Sequence, residues 1–174
     1  MTEPSGHAVL QVAVPELEDW IRARTRHYDP RYLSSDPRFA HAHITVLAPL
    51  RPDEVDLAAI ARIAATSAPF EFALREIKVF PNGCVYLGPE PEEPFRVLTR
   101  RVWQAHPSVT PNGAPEPTPH LTLDMLSPAV TVSSTRASLG DLIPAQARAE
   151  ALELVWYAPS ACRLMDRWPI GADF

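Results

Sequence analysis

A chain of 174 residues with 46% hydrophobic and 21% charged residues has the composition of a globular protein, long enough for one domain or two small lobes around a shared core. Its formal net charge of −5 argues against a broad basic face that follows a nucleic-acid backbone, although a local cationic pocket could still bind a nucleotide or an RNA end. The two cysteines, Cys84 and Cys162, are too few for a disulfide framework and lack the spacing of a metal site.

The N-terminal residues 1–4 lack the basic and apolar segments of a signal peptide. No apolar run along the chain is long enough to cross a bilayer. We therefore expect a cytoplasmic protein without a membrane partner.

The first half of the chain alternates between strand and helix patterns. The predicted elements are, in order, a strand at 7–14, a helix at 16–24, a loop at 27–40, a strand at 41–48 ended by Pro49, and a helix at 53–67 whose apolar stripe includes Leu57. The second half repeats this alternation. Its predicted elements are strands at 70–80 and 84–87 joined by a turn, a helix at 94–105, a loop at 106–119, a strand at 119–126, a helix at 131–142, and strands at 149–157 and 161–168.

This repeated order predicts an α+β fold of two similar lobes. Each lobe is expected to hold a mainly antiparallel sheet with helices on its outer face, and the two sheets to leave an active-site cleft between them. We expect residues 1–174 to form a single bilobal domain and to act as a monomer.

Two copies of one tripeptide lie on predicted strands in opposite halves of the chain, His43-Ile44-Thr45 and His120-Leu121-Thr122. Because polar and apolar residues alternate in each strand, the His and the Thr of each copy share one face. Two such strands across a cleft would present one imidazole that takes a proton and one that gives it, with two hydroxyls to bind oxygen atoms. That set of groups is suited to general acid-base cleavage of a phosphodiester.

With these two H-x-T tripeptides, the chain resembles the two-histidine (2H) phosphoesterase superfamily, which includes the RNA 2',3'-cyclic phosphodiesterases also known as 2'-5' RNA ligases. The order of elements carries the resemblance over nearly the whole chain, and the tripeptides carry it at residue level. It implies that His43 and His120 act as general base and general acid in an order left open, that Thr45 and Thr122 bind the phosphoryl oxygens, and that no metal or other cofactor is needed.

The implied substrate is a nucleotide or RNA end with a 2',3'-cyclic phosphate, or a 2'-5' phosphodiester that is cleaved or joined. The acidic balance and the single lysine, Lys78, favour small cyclic phosphates over long RNA. Candidate substrate-binding residues are the arginines and aromatic residues of the predicted loops and strands: Arg31, Tyr32, Arg38, Tyr86, Trp156, Tyr157 and Arg163. Each of these could instead pack in the core or on a sheet face.

Two alternatives remain open. One is a non-catalytic nucleotide- or RNA-end-binding module on the same fold. The other is a metal-dependent hydrolase that uses His41, His43, His120 and Asp124 as ligands. We expect His41 to be an exposed residue at the end of its strand, and Asp124 to share the face of His120 and Thr122.

Overall fold

The computed structural model describes residues 5–173. Residues 1–4, on which the signal-peptide expectation rested, lie outside the described residues. Within residues 5–173, no helix is both long and apolar enough to span a membrane.

Two four-stranded antiparallel sheets and four α-helices make up the described fold. The strands are β1 (His7–Ala13), β2 (His43–Leu50), β3 (Phe70–Val79), β4 (Cys84–Glu90), β5 (Leu121–Met125), β6 (Ala145–Ala149), β7 (Ala151–Tyr157) and β8 (Arg163–Pro169). The helices are α1 (Glu18–Tyr28), α2 (Leu57–Ala65), α3 (Glu93–Ala105) and α4 (Val132–Leu139). The predicted α+β fold class is thereby confirmed.

The strand order is β2-β1-β7-β8 in the first sheet and β5-β4-β3-β6 in the second. The lobes therefore do not coincide with the halves of the sequence, because β3 and β4 join the second motif strand while β7 and β8 return to the first sheet. One hydrophobic core contains buried side chains of both sheets, such as Leu10 and Leu154 with Phe72 and Leu87.

Three local features depart from the predicted elements. β6 was not predicted, because its buried positions are small alanines that give a weak apolar alternation. β2 continues through Pro49, which an edge strand tolerates because it has no second neighbour that needs the missing N–H. α2 begins only at Leu57, capped by Asp56, and this leaves Leu57 48% exposed rather than in the core.

A bulge in β5 overturns the expectation for Asp124. Val85 pairs with Asp124 and Tyr86 with Thr122, so Leu123 has no partner on β4 and the alternation along β5 is interrupted. Thr122 is consequently exposed, whereas Asp124 is buried.

The buried carboxylate of Asp124 joins α1 to the second sheet. It accepts hydrogen bonds from Arg24 Nε at 2.8 Å, from the Tyr28 hydroxyl at 2.7 Å and from the Thr135 hydroxyl of α4 at 2.6 Å. The Tyr28 oxygen in turn accepts the backbone N–H of Met125 at 3.0 Å. α1 follows a strand of the first sheet, so this cluster fixes one lobe against the motif strand of the other.

Replacing Asp124 with alanine should lower the free energy of unfolding by about 2 to 3 kcal/mol, because three donors lose a charged acceptor in a site that water reaches poorly. Urea denaturation of the variant measures this change. Asp141→Ala, at an exposed aspartate, is the matched control and should change stability by less than about 0.5 kcal/mol. Equal stabilities for the two variants would contradict the role given to Asp124.

Candidate active site

The two tripeptides meet at one cleft between the sheets, which we call the main cleft. His43 is the first residue of β2, and His120 directly precedes β5. Both imidazoles line the main cleft together with Thr45 and Thr122, in a cavity of about 830 Å³. The structure therefore brings the four predicted catalytic residues together.

Both imidazoles are oriented by the same local hydrogen bond. The Nδ1–H group of His43 donates to the backbone carbonyl of His41 at 2.8 Å, and that of His120 donates to the carbonyl of Thr118 at 2.7 Å. A carbonyl oxygen can only accept, so Nδ1 carries the proton in each neutral ring. This leaves Nε2 of each ring, which no group within residues 5–173 hydrogen-bonds, as the nitrogen available for proton transfer.

The surroundings of His43 favour its neutral form. Burial lowers its pKa, the hydrogen bond to the His41 carbonyl partly offsets this, and the charge of a protonated His120 lowers it further. His43 and His120 line the same cleft, so the charge of one ring acts on the other. An arrangement in which one ring is neutral and the other protonated is therefore favoured over two protonated rings.

The expectation of an exposed His41 was wrong, because its ring is only 3% exposed. Nδ1 of His41 donates to the Glu18 carboxylate at 2.7 Å, and Nε2 accepts the backbone N–H of Ser34 at 3.1 Å. Both ring nitrogens are thus used inside the protein, and His41 does not extend the main cleft. The residues around His41 in the chain contain no sign of this partner, since Glu18 lies on α1.

A second and more apolar cavity adjoins the main cleft, and we call it the α1 pocket. It has a volume of about 370 Å³, and it shares His43, Thr122 and Tyr157 with the main cleft. Tyr28 and Tyr32 contribute further aromatic surface. The two cavities therefore extend in different directions from the imidazole of His43.

Three of the predicted substrate-binding residues lie at or beside these cavities. Tyr157 lines both, and its ring is stacked with that of Tyr32 at 5.5 Å between centroids. Burial raises the pKa of Tyr157 to about 12, so its phenol stays protonated. Tyr86 is buried under the site, stacked on Phe80 at 3.9 Å, and both rings contact the edge of His120.

The structure does not bring the other four predicted substrate-binding residues to the cleft. Strand alternation places Trp156 in the core, on the face opposite Tyr157, and the guanidinium of Arg163 lies over its indole ring. Arg31 and Arg38 are exposed and form ion pairs with the aspartates two residues before them, at positions 29 and 36. Arg31 and Arg163 line a separate groove.

Sequence reasoning missed several residues of the main cleft. His7, Phe80, Asn82 and Asn112 all line it. His7 gave no signal of this in the sequence, because the inner residues of β1 are buried without alternation and its position depends on the pairing of β1 with β2 and β7. The loop residue Asn112 gave no such signal, since it reaches the cleft only because its N–H bonds to the Ala48 carbonyl at 3.0 Å.

The ligand set of the metal-dependent alternative is not assembled. Within residues 5–173, no group of three or more His, Cys, Asp or Glu side chains is arranged to hold a metal ion. His41 is bonded to Glu18, and Asp124 is bonded to Arg24, so two of the four proposed ligands point to other partners.

The chain matches a known protein family. A family model described as the 2'-5' RNA ligase superfamily matches residues 13–161. No curated protein sequence matches the chain.

Several solved structures share the fold along nearly their whole length. The protein TT0787 of Thermus thermophilus is 22% identical, with a TM-score of 0.64 over 97% of this chain and 100% of that one. A crystal structure described as a phosphoesterase is 19% identical, with a TM-score of 0.62 over 97% and 99% of the two chains. E. coli LigT complexed with 3'-AMP is 18% identical, with a TM-score of 0.59 over 97% and 99%. At these identities the likeness establishes the fold alone.

The effect of His120 on the pKa of His43 can be measured by titration. Replacing His120 with asparagine should raise the pKa of His43, because the variant removes the positive charge that disfavours protonation of His43. NMR titration of the His43 ring measures the shift. His27→Asn, at an exposed histidine of α1, is the control and should leave that pKa in place. An unchanged pKa in the His120 variant would mean that the rings do not interact.

Proposed function

Since the chain belongs to the 2'-5' RNA ligase superfamily of 2H phosphoesterases, we propose that it is a metal-independent phosphodiesterase acting on 2',3'-cyclic phosphates of nucleotides or RNA ends, or on 2'-5' phosphodiester bonds. The observation that carries the proposal is the pair of imidazoles in one cleft, each with Nδ1–H bonded to a carbonyl and Nε2 left for catalysis.

The lowered pKa of His43 supports its assignment as the general base. In the hydrolytic direction, Nε2 of His43 takes a proton from water as the new P–O bond forms. Nε2–H of His120 gives its proton to the leaving ribose oxygen as the old P–O bond breaks. After one turnover His43 is protonated and His120 is neutral, and exchange with solvent restores both rings. These steps move protons between imidazoles and solvent, and they call on no metal.

The hydroxyls of Thr45 and Thr122 complete the site in this proposal. Each would donate a hydrogen bond to a non-bridging phosphoryl oxygen, where negative charge builds up in the transition state. Both threonines line the main cleft, and the hydroxyl oxygen of Thr122 lies 3.9 Å from the sulfur of Cys84, which also lines it.

The charge of the main cleft supports a diester rather than a monoester as substrate. Among the described residues that line it, none is lysine or arginine, and Glu116 is acidic. A single imidazolium therefore balances the one negative charge of a diester. A monoester product carries up to two negative charges, which this cleft balances less well. Phe80 offers an aromatic face for a base, and Asn82 and Asn112 offer amides for its polar edge. The E. coli LigT complexes with 3'-AMP and ATP support a nucleotide ligand.

The α1 pocket gives specific support to the second substrate class. A cyclic phosphate carries both ester oxygens on one ribose, so its single organic group occupies one side of the phosphorus. A linear 2'-5' diester carries two nucleosides, and it needs room on both sides. The main cleft and the α1 pocket, which meet at His43, provide that room.

The single core that contains both sheets supports our proposal that the chain acts as one bilobal domain. The alternative of a binding module without turnover predicts nucleotide binding by the wild-type protein and no product with either substrate class.

The variants His43→Ala and His120→Ala should each lower kcat/KM for a nucleoside 2',3'-cyclic phosphate by about 10²- to 10⁴-fold, since each variant removes a proton-transfer group. Thr45→Ala and Thr122→Ala should each cost about 2 to 4 kcal/mol of transition-state stabilisation. Product release followed by chromatography measures all four, with and without EDTA. Full activity in either histidine variant, or loss of wild-type activity in EDTA, contradicts the mechanism, and His27→Ala serves as the control.

Filling the α1 pocket should discriminate between the two substrate classes. Thr25 lines this pocket from α1, and Thr25→Trp places a large ring in it. We expect the ratio of kcat/KM for a 2'-5' dinucleotide to that for a cyclic phosphate to fall by about ten-fold or more, because only the dinucleotide uses both sides. Competition between the two substrates in one reaction measures the ratio directly. An unchanged ratio would remove the support that the pocket gives to linear diesters.

A further inference from the structure

One carboxylate outside the main cleft organises the residues that precede His43. Glu18, in the first turn of α1, accepts the backbone N–H of His41 at 3.0 Å, the backbone N–H of Ala42 at 2.8 Å and the Nδ1–H of His41 at 2.7 Å. Burial raises the pKa of Glu18, but the hydrogen bonds from His41 and Ala42 lower it more, so the pKa lies below its ordinary value. Glu18 is therefore an ionised anchor for the two residues that lead into β2.

Glu18 is connected to His43 through the peptide group between His41 and Ala42. The His41 ring is held at both nitrogens, by Glu18 and by the Ser34 N–H, and its face meets the edge of Phe39 at 4.9 Å between centroids. The His41 carbonyl shares a planar peptide group with the Ala42 N–H, so the hydrogen bond from that N–H to Glu18 fixes the carbonyl as well. That carbonyl is the group that accepts Nδ1–H of His43 at 2.8 Å.

The second motif lacks an equivalent anchor. His120 uses the Thr118 carbonyl in the same way, at 2.7 Å. Among the described residues, however, no carboxylate hydrogen-bonds to the backbone of residues 118–120. The two imidazoles thus share one local geometry, and only His43 is backed by a charged group.

We propose that Glu18 is a positioning residue for His43, which fixes the tautomer and direction of the catalytic imidazole through His41. This inference rests on the proposed function, in which His43 transfers protons through Nε2. Glutamine can replace Glu18 only in part, since it keeps one acceptor oxygen but places an NH₂ group against the N–H donors that the other carboxylate oxygen accepts. The negative charge of Glu18 also favours the protonated form of His43.

Other titratable groups around His43 come from β1, β5, β7 and α1, and from the segments that precede β2 and β5. They include His7, His41, His120, Tyr157 and the Arg24–Asp124 ion pair, whose opposite charges largely offset each other. Glu18 is therefore the negative charge whose removal should be visible in the titration of His43.

Three variants separate the hydrogen bonds of Glu18 from its charge. Glu18→Gln loses the charge and the hydrogen bonds that one of the two carboxylate oxygens accepts, so kcat for a cyclic phosphate should fall by about 10- to 100-fold at nearly unchanged KM, and the acid limb of the pH–rate profile should move to lower pH. Glu18→Asp keeps the charge but is one methylene shorter, so kcat should fall while the acid limb stays in place. Asp19→Asn, at an exposed acid of the same turn, should leave kcat and the profile unchanged.

Long-range ¹H–¹⁵N NMR spectra of the ring nitrogens test the same inference without turnover. We expect the proton of neutral His43 on Nδ1 in the wild type and in Asp19→Asn, and an exchange between Nδ1 and Nε2 in Glu18→Gln. Wild-type kcat together with an unchanged tautomer in Glu18→Gln would overturn the proposal.

Failures of the two proposals remain distinguishable. If Glu18→Gln does not fold, the test uses Glu18→Asp. A wild-type kcat or a wild-type His43 tautomer in Glu18→Asp would contradict the proposal that Glu18 positions His43. If the wild-type protein turns over no phosphodiester, the proposed function fails, and the ring spectra alone support or overturn the role of Glu18.

Discussion

Everything proposed for the site depends on a short hydrogen bond between each motif imidazole and the backbone two residues before it. The bond consumes Nδ1–H and so defines Nε2 as the reactive nitrogen of His43 and of His120. Without it each ring could rotate or change tautomer, and a facing pair would present the wrong nitrogen for part of the time. Because both bonds use local backbone, the same geometry arises in two lobes whose surroundings differ.

The first helix connects the two motifs. Near its start, Glu18 holds the residues that lead into β2, and near its end Arg24 and Tyr28 bind Asp124 of β5. A single helix therefore contacts β5 and the segment that leads into β2, on the side of the site where the α1 pocket opens. The helix therefore joins the segment before His43 to the strand that follows His120.

The sequence predicted the features that depend on local pattern. Alternation over a few residues was enough to predict His43 on a strand with Thr45 and His120 at the start of another with Thr122, although β5 begins one residue after His120. The repeated order of elements predicted the α+β fold. Features set by contacts between remote segments were not predictable. The partner of His41 lies on a helix earlier in the chain, and a bulge fixed by pairing with β4 turns Asp124 away from the cleft. The arginines were selected by residue type. The aspartates two residues before Arg31 and Arg38 are visible in the sequence, whereas the position of Arg163 over the indole of Trp156 is not.

A crystal structure with a nucleoside vanadate would show whether both imidazoles act on one phosphorus, because the pentavalent vanadium imitates phosphorus in the transition state. We expect vanadium between the two imidazoles, with Nε2 of His43 and Nε2 of His120 each within about 3 Å of an apical oxygen and the hydroxyls of Thr45 and Thr122 on equatorial oxygens. Vanadium bound in contact with only one ring, or in the groove beside Arg163, would contradict it.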